Sequence, residues 1–232
     1  YALDLGIARV LPAASVPRLA AGADGPYDLR DATLDDVPRI EALYARERAG
    51  ASISASIDAR YWRWQVDGAN LQAEERWRVR MIVDRAGVPV GYVPGESIRR
   101  GANVQIYGLA AASGVRLPDV LPSVLRGLLR QAGSIPALPT APPVGGISLR
   151  LGRSHPVYDL LGDSLPPFPG APYAWYVRVA DVPRFVRAVA PVLERRLAAS
   201  ACAGYTGELL CDFYRDGLRL AFDDGHLEAT ED

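Results

Sequence analysis

The stretch Trp77-Arg-Val-Arg-Met-Ile-Val-Asp-Arg-Ala-Gly-Val-Pro-Val-Gly-Tyr-Val93 decides the fold, because its hydrophobic period is two. Its apolar positions alternate with Arg78, Arg80 and Ile82, as in a strand that has one buried face. These apolar positions are Trp77, Val79, Met81 and Val83. Arg85-Ala86-Gly87 predicts a turn and Val88–Val93 a partner strand, so this stretch predicts a β-hairpin.

Helical and extended segments alternate on both sides of this hairpin. Thr33-Leu-Asp-Asp36 has the capping-box form and precedes a helical pattern. Ala59–Val66 predicts a second helix, and Leu117–Gln131 predicts an amphipathic one. The other predicted elements are strands at Tyr27–Arg30, Val104–Leu109, Ile147–Leu151 and Tyr173–Val179, and a short helix at His155–Leu161. This alternation predicts an α/β (α+β) fold.

The two ends of the chain differ in character from this middle part. Tyr1–Val10 reads as a strand, and Leu11–Pro26, rich in Ala, Gly and Pro, reads as a linker. Val182–Ser200 predicts a long helix, and three short strands follow it up to Asp232. We therefore expect the end of a preceding domain and a linker in residues 1–26, one domain in residues 27–180, and an incomplete further domain in residues 181–232. We also expect a larger protein to begin upstream.

Composition narrows the class of partner. The net charge of -1 argues against a nucleic-acid surface, since binding to phosphates needs a basic surplus. No apolar run reaches the roughly 18 residues of a membrane helix, and the start lacks the pattern of a signal peptide. The two cysteines, Cys202 and Cys211, form no CxxC pair, which favours a reduced, cytoplasmic chain.

Three stretches resemble GNAT (acetyl-CoA-dependent N-acetyltransferase) domains. Tyr27–Asp36 is similar to their opening strand, turn and capped helix, and Val79–Val93 to their central hairpin. His155-Pro-Val-Tyr-Asp-Leu-Leu-Gly162 is similar to a tyrosine-bearing element near their end. The order of elements also agrees, over about Tyr27 to Val179. The resemblance implies a mixed, mostly antiparallel sheet flanked by helices.

The tail carries a second resemblance. Asp181–Leu197, followed by Tyr205-Thr-Gly-Glu-Leu209, resembles the sterol carrier protein-like domain that follows tandem GNAT domains in the bacterial enhanced intracellular survival family of acetyltransferases. In that family the first GNAT domain binds acetyl-CoA and the second, degenerate one does not. The third domain closes the substrate channel. This resemblance implies that the chain holds the second domain and part of the third, a helix followed by an antiparallel meander.

The loop that would hold the cofactor departs from the family pattern. GNAT domains bind the acetyl-CoA pyrophosphate with an Arg/Gln-x-x-Gly-x-Gly/Ala turn, whose backbone N–H groups lie at a helix start. The stretch here is Leu109–Asp119, which has one glycine and in which Pro118 removes a donor. If acetyl-CoA binds this chain, the resemblance assigns it to Leu109, Ala110, Gly114 and Arg116. The alternative is a connector that only leads into the next helix.

Few other side chains suggest chemistry. Tyr158 stands where family members often keep the tyrosine that reprotonates the departing thiolate, and a packed tyrosine is the alternative. His155 and His226 have no neighbouring Asp or Cys ligand in the sequence, so no metal site is expected.

The first helix has an acidic side, formed by Asp35, Asp36, Glu41 and Glu47. Acids near a helix start are favourable on a solvated face, and this is the first interpretation. The alternative is a surface that binds an amine.

The resemblance implies part of an acetyl-CoA-dependent N-acetyltransferase that acts on a primary amine of a small molecule or a peptide. This chain would supply its structural second GNAT domain and would not itself be catalytic. The alternative is a non-catalytic module for oligomerisation or for binding a small molecule or lipid. We expect no nucleic-acid or membrane partner, and the apolar face of Val182–Leu197 is compatible with a homo-oligomer.

Overall fold

The computed structural model describes residues 2–4, 8–19, 25–49, 54–70, 73, 76–152, 154–167, 174–176, 178–214 and 216–231. The chain forms two compact units. The larger unit is Asp4–Ala174, and the smaller one consists of Tyr1–Leu3 with Trp175–Asp232. The predicted domain boundaries, after residues 26 and 180, stay predictions.

Helices and strands follow one another in the predicted order. The strands are β1 (Ala2–Asp4), β2 (Arg9–Pro12), β3 (Tyr27–Asp31), β4 (Trp77–Asp84), β5 (Pro89–Glu96), β6 (Asn103–Ile106), β7 (Ala110–Ala111), β8 (Gly146–Leu149), β9 (Ala174–Tyr176), β10 (Gly207–Asp212), β11 (Gly217–Asp223) and β12 (His226–Glu231). The helices are α1 (Val37–Arg48), α2 (Ala59–Arg63), α3 (Leu117–Gln131), α4 (Val157–Leu161) and α5 (Val182–Ala198).

The larger unit is built on a sheet with the strand order β2-β8-β6-β5-β4-β3, to which β7 adds by pairing with β5. The β6–β8 pair is parallel, and the other described pairs of this sheet are antiparallel. β4 and β5 form the predicted hairpin, with Trp77 opposite Glu96. The prediction of a mixed, mostly antiparallel sheet flanked by helices is confirmed.

Each face of this sheet has its own hydrophobic core. On one face, α3 packs Val124 and Leu128 against sheet residues such as Ile82 and Val93. On the other face, the core contains side chains of α1, α2, β4 and β5, namely Val37, Ile40, Leu43, Trp62, Val79, Met81 and Tyr92. Strand alternation produces this division, because neighbouring residues of β4 and β5 point to opposite faces.

Two predicted segments are wrong in their bounds. The predicted linker begins inside β2, where Leu11 is fully buried and pairs with Ile147 of β8; its residues 20–24 lie outside the described part of the chain. The predicted strand Val104–Leu109 ends at Ile106, and the pairing resumes in β7. The Tyr107 N–H still donates to the Pro94 carbonyl of β5 at 2.8 Å, but Leu109 departs from the strand ladder, so its polar groups need other partners.

The smaller unit contains α5 and a meander in the order β10-β11-β12, as predicted. Asp224 and Gly225 form the second turn with φ values of 46° and 82°, as an Asp-Gly hairpin turn requires. α5 packs on β12: Arg187 donates to the Ala229 carbonyl, and Glu194 Oε1 accepts from the Leu227 N–H at 2.9 Å. β1 and β9 form a separate two-stranded sheet.

Candidate functional site

Leu109 lies at the break between β6 and β7, and both of its peptide groups are bonded to side chains. Its N–H donates to Glu47 Oε1 at 3.1 Å. Its carbonyl oxygen lies 3.0 Å from His155 Nε2. Leu109 itself is 2% exposed, so these bonds replace water for two groups that leave the strand ladder.

Glu47, on the last turn of α1, is the centre of this buried polar cluster. Besides the Leu109 N–H, its carboxylate accepts a short hydrogen bond from the hydroxyl of Tyr92 in β5. Tyr92 is almost fully buried. Burial, followed by the negative charge and the hydrogen bond of Glu47, raises the pKa of the Tyr92 phenol far above its ordinary value. Tyr92 therefore acts as a hydrogen-bond donor.

The hydrogen bonds of His155 define its tautomer. Nδ1 accepts from the Val157 N–H at 3.2 Å, so it carries no proton. Nε2 faces the Leu109 carbonyl, which only accepts, so Nε2 carries the proton. The same Nε2 is 3.9 Å from Glu47 Oε1. Glu47, Tyr92 and His155 thus surround Leu109 as a network of donors and acceptors.

The acidic side predicted for α1 is wrong for two of its four residues. Glu47 is directed inward because it continues the helical spacing of the buried Ile40 and Leu43. Asp36 is buried as well and bonds bidentately to Arg30, at 2.7 and 2.8 Å. Its carboxylate also accepts from the Thr33 N–H, which confirms the predicted capping box.

The cluster of Glu47, Tyr92 and His155 was not predicted from the sequence. Its signal was present: Glu47 lies on the apolar stripe of α1, and Tyr92 alternates onto the same side of the sheet as that helix. His155 and Glu47 are far apart in the chain. Helical and strand periods do not encode which distant residues meet, so this contact could not be read from the sequence.

Tyr158 lies on α4 and is bonded to the end of β8. Its hydroxyl donates to the Leu149 carbonyl at 3.1 Å and accepts from the Leu151 N–H at 3.2 Å. Burial raises the pKa of the Tyr158 phenol, while the Leu151 N–H and the charge of Arg9 oppose that shift. These bonds favour a packed tyrosine, and its role as a general acid stays a prediction.

The start of α3 offers few donors to an anion. Gly114 adopts a φ of +81°, which suits glycine, in the turn before the helix. Pro118 has no N–H, and the Asp119 N–H donates to the Arg116 carbonyl at 3.1 Å. The Arg116 side chain is 77% exposed and forms a weak 3.9 Å ion pair with Asp119. The Asp119 carboxylate in the first turn adds negative charge where a pyrophosphate would need positive charge.

The predicted cofactor residues are thus split between two surroundings. Leu109 and Ala110 belong to the buried end of β5, β7 and α1, whereas Arg116 is on the surface at the helix start. Within the described ranges, no group of three or more His, Cys, Asp or Glu side chains is arranged to hold a metal ion. The same described residues contain no helix long and apolar enough to cross a membrane.

Comparisons with known proteins give little further information. No protein-family model matches the sequence, and no curated protein is significantly similar to it. Among solved structures, the chain is similar to a ribosomal-protein-alanine N-acetyltransferase from Brucella melitensis biovar Abortus 2308. The identity is 13% and the TM-score 0.43, over 67% of this chain and 99% of that one. A similarity at this level says nothing about what this chain binds.

Proposed function

We propose that this chain is a GNAT-like domain without its own acetyl-CoA site, together with part of a following domain, from a cytoplasmic bacterial N-acetyltransferase. In the intact protein, a primary amine of a small molecule or peptide attacks the acetyl-CoA thioester bound by another domain. The order of elements from β3 to β9 supports the proposal, since it agrees with the order that the sequence resemblance implies.

One observation carries the claim that acetyl-CoA does not bind here. Both peptide groups of Leu109 are occupied by largely buried side chains of the same chain, Glu47 and His155. A cofactor at this strand break would have to displace the charge-assisted bond of Glu47 and the bond of His155. The adjoining helix start, with Pro118 and Asp119, offers no compensating set of backbone donors.

Isothermal titration calorimetry of the chain with acetyl-CoA tests this proposal. We expect no binding, alongside a positive control that uses an N-acetyltransferase with an intact Gly-x-Gly turn. The variant Glu47→Ala should not create binding either, because freeing the Leu109 N–H leaves the helix start unchanged. Micromolar binding of acetyl-CoA by the unmodified chain that is lost in Arg116→Ala would overturn the claim of a degenerate site.

A second candidate function is a module for oligomerisation. Phe185 and Val192 of α5 are 50% and 42% exposed, which leaves apolar surface on the smaller unit. Sedimentation velocity separates the two candidates: concentration-dependent dimers that Phe185→Asp abolishes support this function, and a monomer at every concentration excludes it.

A further inference from the structure

Three arginines occupy alternate positions along the chain: Arg76 directly before β4, and Arg78 and Arg80 within it. Burial raises the pKa of the Asp31 carboxyl group, but the Arg78 hydrogen bond and the charges of Arg78, Arg80 and Arg76 together leave that pKa lowered. Arg80 is 0% exposed, and its Nε donates to Gln131 Oε1 at 3.0 Å. Neither terminal nitrogen of Arg80 has a hydrogen-bond partner in the described part of the chain.

This missing partner has an electrostatic cost. Burial, followed by the charge of Arg78, lowers the pKa of the Arg80 guanidinium to about 10, whereas Asp31 and Glu96 oppose that shift. The Glu96 carboxylate accepts instead from the Gln105 N–H at 2.9 Å. Buried guanidinium groups are normally paired, so Arg80 is an exception that needs an explanation.

The neighbouring arginines differ in how they are paired. Arg78 bonds to both carboxylate oxygens of Asp31, at 2.7 and 3.0 Å, and to Ser134 Oγ at 3.0 Å. Arg76 is half-buried, and its Nε has no acceptor among the described residues. Among the described residues, these three guanidinium groups therefore have one directly bonded carboxylate, that of Asp31.

A cleft of about 280 Å³ opens beside this cluster. Its lining includes Arg76, Arg78, Ser97, Ser134, Trp77 and Val66, and also Asp31, whose carboxylate is paired with Arg78. Arg80 lies on the same face of β4 as Arg78, because the two residues are two positions apart in the strand. Its NH1 atom lies 3.6 Å from where a Cβ on Gly95 would stand, and Gly95 is the strand partner of Arg78. The absence of a side chain at Gly95 leaves room for the Arg80 head, which is fully buried and is not among the residues that line the cleft.

We propose that this cleft binds a small organic anion, whose carboxylate or phosphate group is held by Arg76 and Arg78, with the buried charge of Arg80 close by. Guanidinium forks match the geometry of both oxyanions, and an anion bound there would reduce the electrostatic penalty of the buried Arg80 head. Trp77 and Val66 supply an apolar wall for the rest of the ligand. The cleft lies by Ser134, after the C-terminal end of α3, whereas the predicted cofactor loop precedes its N-terminal end.

Calorimetric titration of the full chain with inorganic phosphate, phenyl phosphate and benzoate, at constant ionic strength in chloride, tests the proposal. We expect saturable binding, and the tighter of phenyl phosphate and benzoate identifies the acid group of the ligand. Arg76→Gln should weaken binding by about tenfold or more, since it removes a charge-assisted hydrogen bond. The matched control is Arg85→Gln, in the exposed turn between β4 and β5, which changes the charge equally and should bind like the unmodified chain.

Circular dichroism first establishes that each variant is folded, and Arg80→Met serves as a second variant that removes the buried head. Lack of binding by the unmodified chain would overturn the proposal. So would equal weakening in Arg76→Gln and Arg85→Gln, or unchanged binding in both Arg76→Gln and Arg80→Met. If acetyl-CoA bound at this cleft through its phosphates, the Arg76→Gln variant would lose that binding. If acetyl-CoA bound at the Leu109 stretch, Arg76→Gln would still bind it. The two outcomes distinguish failure of this proposal from failure of the proposed function.

Discussion

Two buried polar clusters of the larger unit differ in how their charges are satisfied. The Glu47 carboxylate accepts from Tyr92 and from the Leu109 N–H, and it lies beside His155. The Arg80 guanidinium, on the opposite face of the sheet, makes one bond and leaves two nitrogens without a partner in the described residues. Removing one partner from a satisfied buried charge destabilises the fold, whereas a buried charge without partners already carries a desolvation cost.

The largest expected effect is at Glu47. Glu47→Leu leaves the Tyr92 hydroxyl and the Leu109 N–H buried without an acceptor, and the lost charge-assisted bonds should reduce the free energy of unfolding by about 3–5 kcal/mol. Urea denaturation followed by tryptophan fluorescence measures this loss, and amide exchange at Leu109 should accelerate with it.

The control for this variant is Glu41→Leu, one and a half turns earlier on α1, where no hydrogen bond or ion pair is described. It should change stability by less than about 0.5 kcal/mol. Equal losses for Glu41→Leu and Glu47→Leu would mean that the Glu47 bonds do not set the stability of the cluster.

Asp36 is a second satisfied charge, and its pKa is lowered to about 2, first by the Arg30 hydrogen bond and then by the Thr33 bonds, against burial. Because the folded pKa lies below the unfolded value of 3.8, the stabilisation is complete above pH 3.8 and is lost as the pH falls through about 2. Asp36→Asn should therefore cost about 2 kcal/mol at pH 7 and less than half of that at pH 2.5.

Urea denaturation at pH 7 and at pH 2.5 measures this difference, with Asp35→Asn as the control. Asp35 is its exposed neighbour, so that variant should remain within about 0.5 kcal/mol of the unmodified chain at both pH values. A loss at Asp36 that does not change with pH would contradict the Arg30 pairing.

The comparison predicts the opposite sign for Arg80. In chloride buffer without added oxyanions, Arg80→Met should raise the unfolding free energy by about 1 kcal/mol, because it replaces an unpaired buried charge with an apolar chain of similar length. Arg78→Met, which breaks the Asp31 and Ser134 bonds, should lower it. If Arg80→Met also destabilises the chain, the Arg80 head is already paired and the contrast between the clusters fails.

The smallest effect is expected at Arg116. Its 3.9 Å ion pair with Asp119 is exposed on both sides, so Arg116→Ala should change stability by no more than about 0.5 kcal/mol. Thermal unfolding at low and high salt checks this value. A larger, salt-dependent loss would show that the start of α3 depends on this pair.

Much of the fold was predictable because its hydrophobic periods are local. The alternation in β4, the apolar stripe of α3 and the capping box before α1 all fix elements over a few residues, and each is confirmed. Part of the candidate site was not predictable. The sequence up to Leu109 reads as one unbroken strand, but β6 ends at Ile106. The peptide groups of Leu109 then bond to Glu47 and His155, which only the folded chain brings to this position.

The sequence by itself determined the hairpin at Trp77–Val93, the alternation of helices and strands, and the weak donor set at the start of α3. These depend on residue type and spacing within a single element. Only the tertiary structure decided that Glu47 is a largely buried hydrogen-bond acceptor, and that Arg80 is a buried cation whose terminal nitrogens have no hydrogen-bond partner among the described residues. Both depend on which distant groups meet, and a charge changes its meaning with the partners and the solvent that packing leaves around it.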